Sequence, residues 1–327
     1  MLGKGPGAVV MSKNILLSAG GTATAWHLAS LISEKFRSYF NLFVCDINPP
    51  HLIPASRLAQ RYFQVPRIDN PDYHSRMLEL FDEHGIDIYV PLIDADVHRF
   101  PIDATELVSR GVRSTGILSS ASAVIGNKRT LSAFLESHGF CTPRTVSLED
   151  VARQPGRKFF IKPEQGFGSR SARVVEAEEV LRAVAGEPGL LVQELCGGPE
   201  VTVEVFNRGA VLSLCRERLE TKAGVCTKAR VFEDDALHSL AERLCGVLDL
   251  PIAFCFQVML GPAGEWLITD LNPRLGAGTA LSTAYGWSLA SAALTCWGDL
   301  PLDPQQFLRT LPGSKYVVRV YQEKVMD

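Results

Sequence analysis

The stretch Trp266-Leu-Ile-Thr-Asp270-Leu-Asn272-Pro-Arg274 constrains this chain most, because it reads as a strand that ends on two oxygen-bearing side chains. Side chains alternate along a strand, so Asp270 and Asn272 share a face. A carboxylate and an amide oxygen aimed together suit a hard cation such as Mg²⁺, which takes oxygen ligands and commonly keeps substrate phosphates in its shell. The pattern points to a nucleotide. Upstream, Phe254-Cys-Phe-Gln257-Val-Met-Leu260 is a second apolar strand, separated from the first by the turn-like Gly261-Pro-Ala-Gly264. With those four residues as the loop, Leu260 faces Glu265, and Gln257 lies opposite Ile268 and diagonal to Asp270, on the same face. A slip of one residue would turn Gln257 away. An ordinary hairpin with a polar end accounts for the same residues equally well.

Two further segments shift that balance. In Phe159-Phe-Ile-Lys162-Pro-Glu-Gln-Gly166-Phe-Gly168-Ser169-Arg170-Ser171 an apolar strand runs into a short glycine loop. Glycines let a backbone approach a ligand closely, and the freed N–H groups can cradle phosphate oxygens, with Lys162 as a point charge at the strand end. The loop is neither a P-loop nor a dinucleotide fingerprint, since the Gly-Lys-Ser/Thr ending is absent and no helical pattern follows. In Leu190-Leu-Val-Gln193-Glu194-Leu195-Cys-Gly-Gly-Pro-Glu200-Val-Thr-Val-Glu204-Val-Phe206, Val201, Val203 and Val205 alternate with Glu200, Thr202 and Glu204. The valines face a core. The opposite face reads either as a solvated surface, which the alternation favours, or as acids facing ribose hydroxyls or a metal.

The order of these pieces carries the specificity. Lys128 in Asn127-Lys-Arg-Thr-Leu, then the Lys162 loop, then Gln193-Glu194 with Glu200, then Gln257 and Asp270-Leu-Asn-Pro-Arg274 resembles the ATP-grasp superfamily, over about residues 13–286. The loop and the glutamine, acid and asparagine series are most similar to the carbamoyl-phosphate synthetase large-subunit branch. The resemblance implies an α/β and α+β chain: an ATP-grasp fold behind a Rossmann-like, pre-ATP-grasp parallel-sheet domain. It also implies ATP as the nucleotide and Mg²⁺ as the ion, with Mn²⁺ able to substitute.

Residue by residue, the resemblance puts Lys128 and Lys162 on the α- and β-phosphates and makes the Gly166, Gly168, Ser169 and Arg170 loop a mobile lid. Gln193, Glu194 and Leu195 border adenine, and Glu200 holds ribose. Gln257, Asp270 and Asn272 hold the metal, Arg274 faces the transferred phosphoryl group, and Lys228 is a further basic residue reaching the phosphates. Ser171 stands where the family usually has glycine, which restricts the loop if that position needs positive φ. Asp270 replaces the usual glutamate and has a shorter reach.

Length and composition agree with this reading. A chain of 327 residues is expected to form two or three domains. The balance of 33 basic against 36 acidic residues implies no polyanion-binding surface, so nucleic acid is not an expected partner. No run approaches the roughly 18 apolar residues of a membrane span. The first ten residues read as too short and glycine-rich for a secretory signal, with Met11 as the natural start. Eight cysteines show no Cys-x-x-Cys spacing and sit mostly in apolar runs, as expected of free thiols in the cytoplasm. The seven histidines form no pair with zinc-ligand spacing, and His98 alone is of interest.

The first third alternates strand and helix: Asn14-Ile-Leu-Leu-Ser18, a helix after Gly20-Gly21, Leu42-Phe-Val-Cys-Asp46, a helix, then Asp87-Ile-Tyr-Val-Pro91. Gly20-Gly21 followed by Asp46 suggests a dinucleotide site, but the spaced third glycine is missing, which argues against hydride transfer. Gly20, Gly21, Thr22 and the Asp94-Ala-Asp96-Val-His98 segment are candidate substrate contacts. Their simpler readings are a helix-starting turn and a helix N-cap at Asp94. Boundaries fall at 12–118 for the first domain, 119–188 for a central lobe and 189–327 for the C-terminal lobe. Within the last, Asp234 to Leu248 is an amphipathic helix with Leu237, Leu240, Ala241, Leu244 and Leu248 on one face.

The expected activity is that of an ATP-dependent carboxylate–amine ligase acting on small molecules, in a chain that allows a homodimer. The alternatives are an ATP-binding regulatory or scaffold protein with a degenerate site, and a kinase-like enzyme that releases the phosphorylated acid. Arg216, Arg218 and Lys222 offer charge to a substrate carboxylate, although basic residues near a turn are usually solvated.

Overall fold

The computed structural model describes residues 11–165, 172–187, 189–309 and 312–326. Five short parallel strands, β1 (Lys13–Leu17), β2 (Phe40–Asp46), β3 (Arg61–Gln64), β4 (Ile88–Val90) and β5 (Arg113–Ser114), form a sheet in the order β3-β2-β1-β4-β5. Alternation splits β1 between two cores. Ile15 and Leu17 pack with helix Ala23–Leu31, while Leu16 packs on the other side with Tyr73, Met77 and Leu80 of helix Tyr73–His84. A parallel sheet buried on both faces is what the apolar run of this strand dictates. Strand β3 escaped the sequence reading because Arg61-Tyr-Phe-Gln64 is a four-residue edge strand whose two ends are exposed.

A second, antiparallel sheet contains β6 (Lys158–Pro163), β7 (Arg173–Glu176) and β8 (Leu190–Glu194) in the order β7-β6-β8. Its apolar side packs against helices Leu148–Ala152 and Ala177–Gly186 through Val151, Phe159, Ile161 and Val180. The glycine loop that joins β6 to β7, with Gly166, Gly168, Ser169, Arg170 and Ser171, lies outside the described residues, as does Pro188.

The third sheet is antiparallel: β9 (Glu200–Arg208), β10 (Ala210–Lys222), β11 (Val225–Phe232), β12 (Ala253–Leu260), β13 (Trp266–Asn272) and β14 (Lys315–Val318), ordered β13-β12-β9-β10-β11-β14. One face buries Val201, Val203, Val205, Phe254, Phe256 and Val258 against Leu237, Ala241 and Leu244 of helix Asp235–Val247, which Asp234 caps. On the other face Phe206, Leu214, Val231 and Ala253 meet helix Leu289–Trp297, which is buried at all nine positions. An all-round apolar helix belongs inside a core. The same cluster includes Ile15, Leu28 and Phe40, so the parallel sheet and the six-stranded sheet share one apolar core. Among the described residues no helix is long and apolar enough to cross a membrane.

Candidate functional site

The hairpin of β12 and β13 differs in register from the simple four-residue loop. Leu260 pairs with Trp266, Met259 with Leu267 and Val258 with Ile268, and after a bulge Gln257 pairs with Asp270 and Cys255 with Asn272. Glu265 belongs to the turn, whose carbonyl accepts from Gly261 N at 2.7 Å, and Gly264 closes it at φ +83°. The expected pairing of Gln257 with Ile268 is therefore corrected by two positions. One comes from the longer turn and one from the bulge at Thr269.

The bulge decides the chemistry of this strand. Ile268 and Leu271 both lie in the apolar core, which strict alternation forbids for residues three apart. The extra residue between them switches the strand's face, so Asp270 stands beside Gln257 on the side opposite Ile268. It also frees the carbonyl of Thr269, which accepts from Lys162 Nζ at 2.9 Å. Lys162 is only 8% exposed. Burial pulls its ammonium below the usual lysine range, Asp270 pulls it back and Lys128 adds to the lowering. One bulge thus brings Lys162 at the end of β6 against the acid-bearing edge of the six-stranded sheet.

Lys128 opens helix Lys128–Ser137, capped by Asn127, whose Oδ1 accepts from Arg129 N and Thr130 N. Its backbone N–H donates to the Glu164 carbonyl at 2.9 Å, which ties that helix start to the end of β6. Glu164 is in turn held by Arg129 Nε at 2.7 Å. Lys128, Lys162, Gln257, Asp270 and Asn272 thus come to one region.

Arg274 is placed by a partner that sequence reasoning assigned elsewhere. Its Nε lies 2.8 Å from Asp94 Oδ1, and its Nη2 donates to Asp94 Oδ2 at 2.9 Å and Asn272 Oδ1 at 3.3 Å. Burial works against the Arg274 charge, but Asp94 raises its pKa above the ordinary arginine value. Asp94 is the first residue of helix Asp94–Arg99 and Ile93 is the N-cap, so the expected cap at Asp94 is corrected. Asp96 is buried and accepts from the Tyr73 hydroxyl, and His98 Nδ1 meets Ser122 Oγ at 2.7 Å. No motif signals the Asp94–Arg274 contact, which spans 180 residues.

The remaining residues divide. Gln193 is buried and donates to the Pro143 carbonyl at 3.1 Å. The Glu194 carboxylate is held by Arg144 at 2.8 Å and Arg157 at 2.9 Å, and Leu195 is 38% exposed. Glu200 pairs with Arg218. Lys228 pairs with Glu220 at 2.9 Å, and alternation puts it on the face of Arg230 and Phe232, opposite Ala229 and Val231. It does not join the cluster.

Two expectations about solvation are overturned. Glu204 is fully buried and Arg216 is 2% exposed, because helix Thr279–Tyr285 and the segment before it cover that part of the sheet. Of the three basic residues near the hairpin, only Lys222 is exposed.

In the parallel sheet, Gly20 N–H donates to the Cys45 carbonyl and Gly21 N–H to Asp46 Oδ2 at 2.8 Å. Asp46 Oδ1 accepts from Asn48 N and Nδ2. Of the acid that would hold a dinucleotide ribose, one oxygen therefore serves the glycine turn and the other is held by Asn48. Thr22 caps helix Ala23–Leu31.

The donor set fits a hard cation. Gln257, Asp270 and Asn272 offer two amide oxygens and one carboxylate, and the Asn272 amide nitrogen lies 3.4 Å from Asp270 Oδ2. Among the described residues no three His, Cys, Asp or Glu side chains come together as a metal cage. Such a trio suits Mg²⁺, which keeps several ligands from phosphate and water. Cys255 is buried, and burial pushes its thiol up to about 12 against the opposing charges of Arg274 and Arg216, which does not suit a nucleophile.

Comparisons with known proteins agree with this architecture. Residues 125–278 match the ATP-grasp domain family and residues 15–113 the PylC-like N-terminal domain family. The chain thus carries an ATP-grasp domain over residues 125–278, with a PylC-like domain in front. A 3-methyl-D-ornithine–L-lysine ligase of Methanosarcina acetivorans is 24% identical over 181 residues, 54% of this chain. The match spans about half, 48%, of that relative's length. The fold is shared with N5-carboxyaminoimidazole synthetase from Staphylococcus aureus complexed with ADP: TM-score 0.69, 12% identity, covering 90% of this chain and 80% of that one. It is also shared with an L-amino acid ligase from Bacillus licheniformis: TM-score 0.68, 16% identity, covering 91% and 78%. The carbamoyl-phosphate synthetase branch is a finer assignment than these matches carry.

Proposed function

We propose that this chain is an ATP-dependent carboxylate–amine ligase, with MgATP bound between the three-stranded and six-stranded sheets. A carboxylate oxygen of a small acid attacks the γ-phosphorus and ADP leaves. An amine then attacks the acyl carbon, phosphate leaves, and the amine loses a proton. The observation that carries this reading is the bulge at Thr269, which sets Gln257 and Asp270 side by side, with Asn272 next along, and gives Lys162 its carbonyl partner. The 3-methyl-D-ornithine–L-lysine ligase and the L-amino acid ligase are named for reactions of this kind.

In this reading Gln257, Asp270 and Asn272 hold Mg²⁺, which supplies neutralisation of phosphate charge. Lys128 and Lys162 hold the α- and β-phosphates, and the 166–170 loop covers them. Gln193, Glu194 and Leu195 border the adenine, Glu200 binds ribose, and Arg274 faces the transferred phosphoryl group, oriented by Asp94. Lys228 has no part, given its place on the other face. Phosphoryl transfer asks the protein mainly for positioning and electrostatic stabilisation, so no general base is required for that step. Changing both Asp270 and Asn272 to Ala is expected to lower carboxylate-dependent ADP formation by about a hundredfold or more, with an unchanged circular dichroism spectrum. Undiminished turnover would refute the assignment.

A further inference from the structure

The six-stranded sheet carries a second polar cluster on the face of Asp270. Across neighbouring strands the register runs Asp270, Gln257, Thr202, Arg216, which starts Arg216 about 14 Å from Asp270 at the usual strand spacing. One row along, Asn272, Cys255 and Glu204 are neighbours in the same way. Glu204 and Arg216 share one hydrogen bond, Nη2 to Oε1 at 3.2 Å. Arg216 Nε and Glu204 Oε2 are buried with no hydrogen-bond partner among the described residues. Buried ion pairs normally complete their hydrogen bonds, because each unmet group keeps its full desolvation cost.

The unmet groups continue onto the elements that cover the pair. Among the described residues Thr279 Oγ1, Ser282 Oγ and Arg319 Nε are buried without partners as well. Thr279 and Ser282 lie one turn apart at the start of helix Thr279–Tyr285. Arg319, just past β14, is half-buried and donates to the Ala277 carbonyl at 2.6 Å. A side chain at position 278 would run into the Arg216 guanidinium, so Gly278 is what lets the loop lie against it.

Arg216 pairs with Glu204, and Arg319 brings a second guanidinium whose charge acts on that of Arg216, which leaves an excess of positive charge. Its neighbours register it: burial and then the Arg319 charge pull the His27 imidazole down to about 4, and burial and Arg216 lower Arg319 itself. The surplus donors call for an anionic acceptor, while the free Glu204 oxygen calls for a donor beside it.

Building on the ligase reading, we propose that Arg216, Arg319, Thr279 and Ser282 bind a substrate carboxylate other than the one phosphorylated, with Glu204 taking an adjacent ammonium. The ligand class is an α-amino acid zwitterion, carried by either the activated acid or the incoming amine.

The test measures binding of L-glutamate, D-glutamate, L-norvaline, D-norvaline and butyrate to the full chain, with and without MgADP, by ligand-observed NMR. At least one zwitterion is expected to bind more tightly than butyrate. Arg319→Gln and Gly278→Ala should each weaken it about tenfold, the loss of one charge-assisted contact, with MgADP affinity held. Removing Arg216 alone would strand Glu204, so the joint change Arg216→Gln with Glu204→Gln serves as the third variant. Butyrate binding as tightly as every zwitterion, unaltered affinity in the variants, or no zwitterion binding to a protein that takes MgADP would overturn the proposal. A protein that takes the zwitterion but not MgADP would sink the nucleotide reading and leave this one standing. ADP formation with glutamate alone would assign the zwitterion to the acid; formation only with butyrate plus norvaline would assign it to the amine.

Discussion

The two faces of the six-stranded sheet come from the same backbone yet hold opposite environments. Val203 and Phe256 look into a dry core with helix Asp235–Val247, whereas their chain neighbours Glu204, Thr202 and Gln257 look toward Lys162, Arg216 and Arg274. Both faces exclude much of their water. What separates them is whether the groups taken out of water can pair. The apolar face gains by burial alone, while the polar face retains charge only by matching it, as Glu204 with Arg216 and Asp94 with Arg274. A polar face held in this way is suited to charged ligands, and its incomplete pairing is where a ligand's charge finds room.

The contrast breaks most severely if a charge is moved across it. Val203→Asp places an unpaired carboxylate in the core, with an expected loss of about 5 kcal/mol or more, enough to leave little folded protein in a urea titration. On the polar face Asp94→Asn leaves the Arg274 guanidinium buried without its anion, at a cost of about 3 kcal/mol in chemical denaturation. The same variant should raise KM for the acid or lower kcat more than it changes ATP affinity, because Arg274 loses its orientation. An unchanged denaturation midpoint and unchanged kinetics would mean that this pair contributes nothing.

The smallest effect concerns His27, whose Nε2 meets Thr283 Oγ1 at 3.0 Å beside the positively charged cluster. Its folded pKa of about 4 lies below the unfolded value of 6.5. Between those values the unfolded chain binds more protons, so stability is complete above about pH 6.5 and falls as pH drops toward about 4. The loss is on the order of 3 kcal/mol at most. Wild type should therefore lose more of its melting temperature across that window than His27→Gln; equal losses would remove the argument.

Much of this arrangement was legible in local pattern. The valine alternation in β9, the capped amphipathic helix at 235–247, the Asp270 and Asn272 pair and the strand ending at Lys162 all follow from periodicities of two or 3.6. The bulge was not legible, because Thr269 resembles any strand residue and only the cores on both sides force the extra position. Register also escaped, since Gly264 takes Glu265 into the turn. The facing of Lys228 was not legible either, because the pairing of β10 with β11 shifts on both sides of Glu220.

Sequence by itself determined which residues share a face within each unbroken run of a strand and which chemistry they bring, because that depends on backbone geometry over a few residues. Tertiary structure alone decided that the acidic face is enclosed rather than solvated. Its cover comes from 279–285 and Arg319, some 60 to 115 residues downstream of Glu204 and Arg216. It alone also decided that Asp94 reaches Arg274. Pairing across such separations depends on how helices and sheets stack, and no periodicity in the chain encodes it.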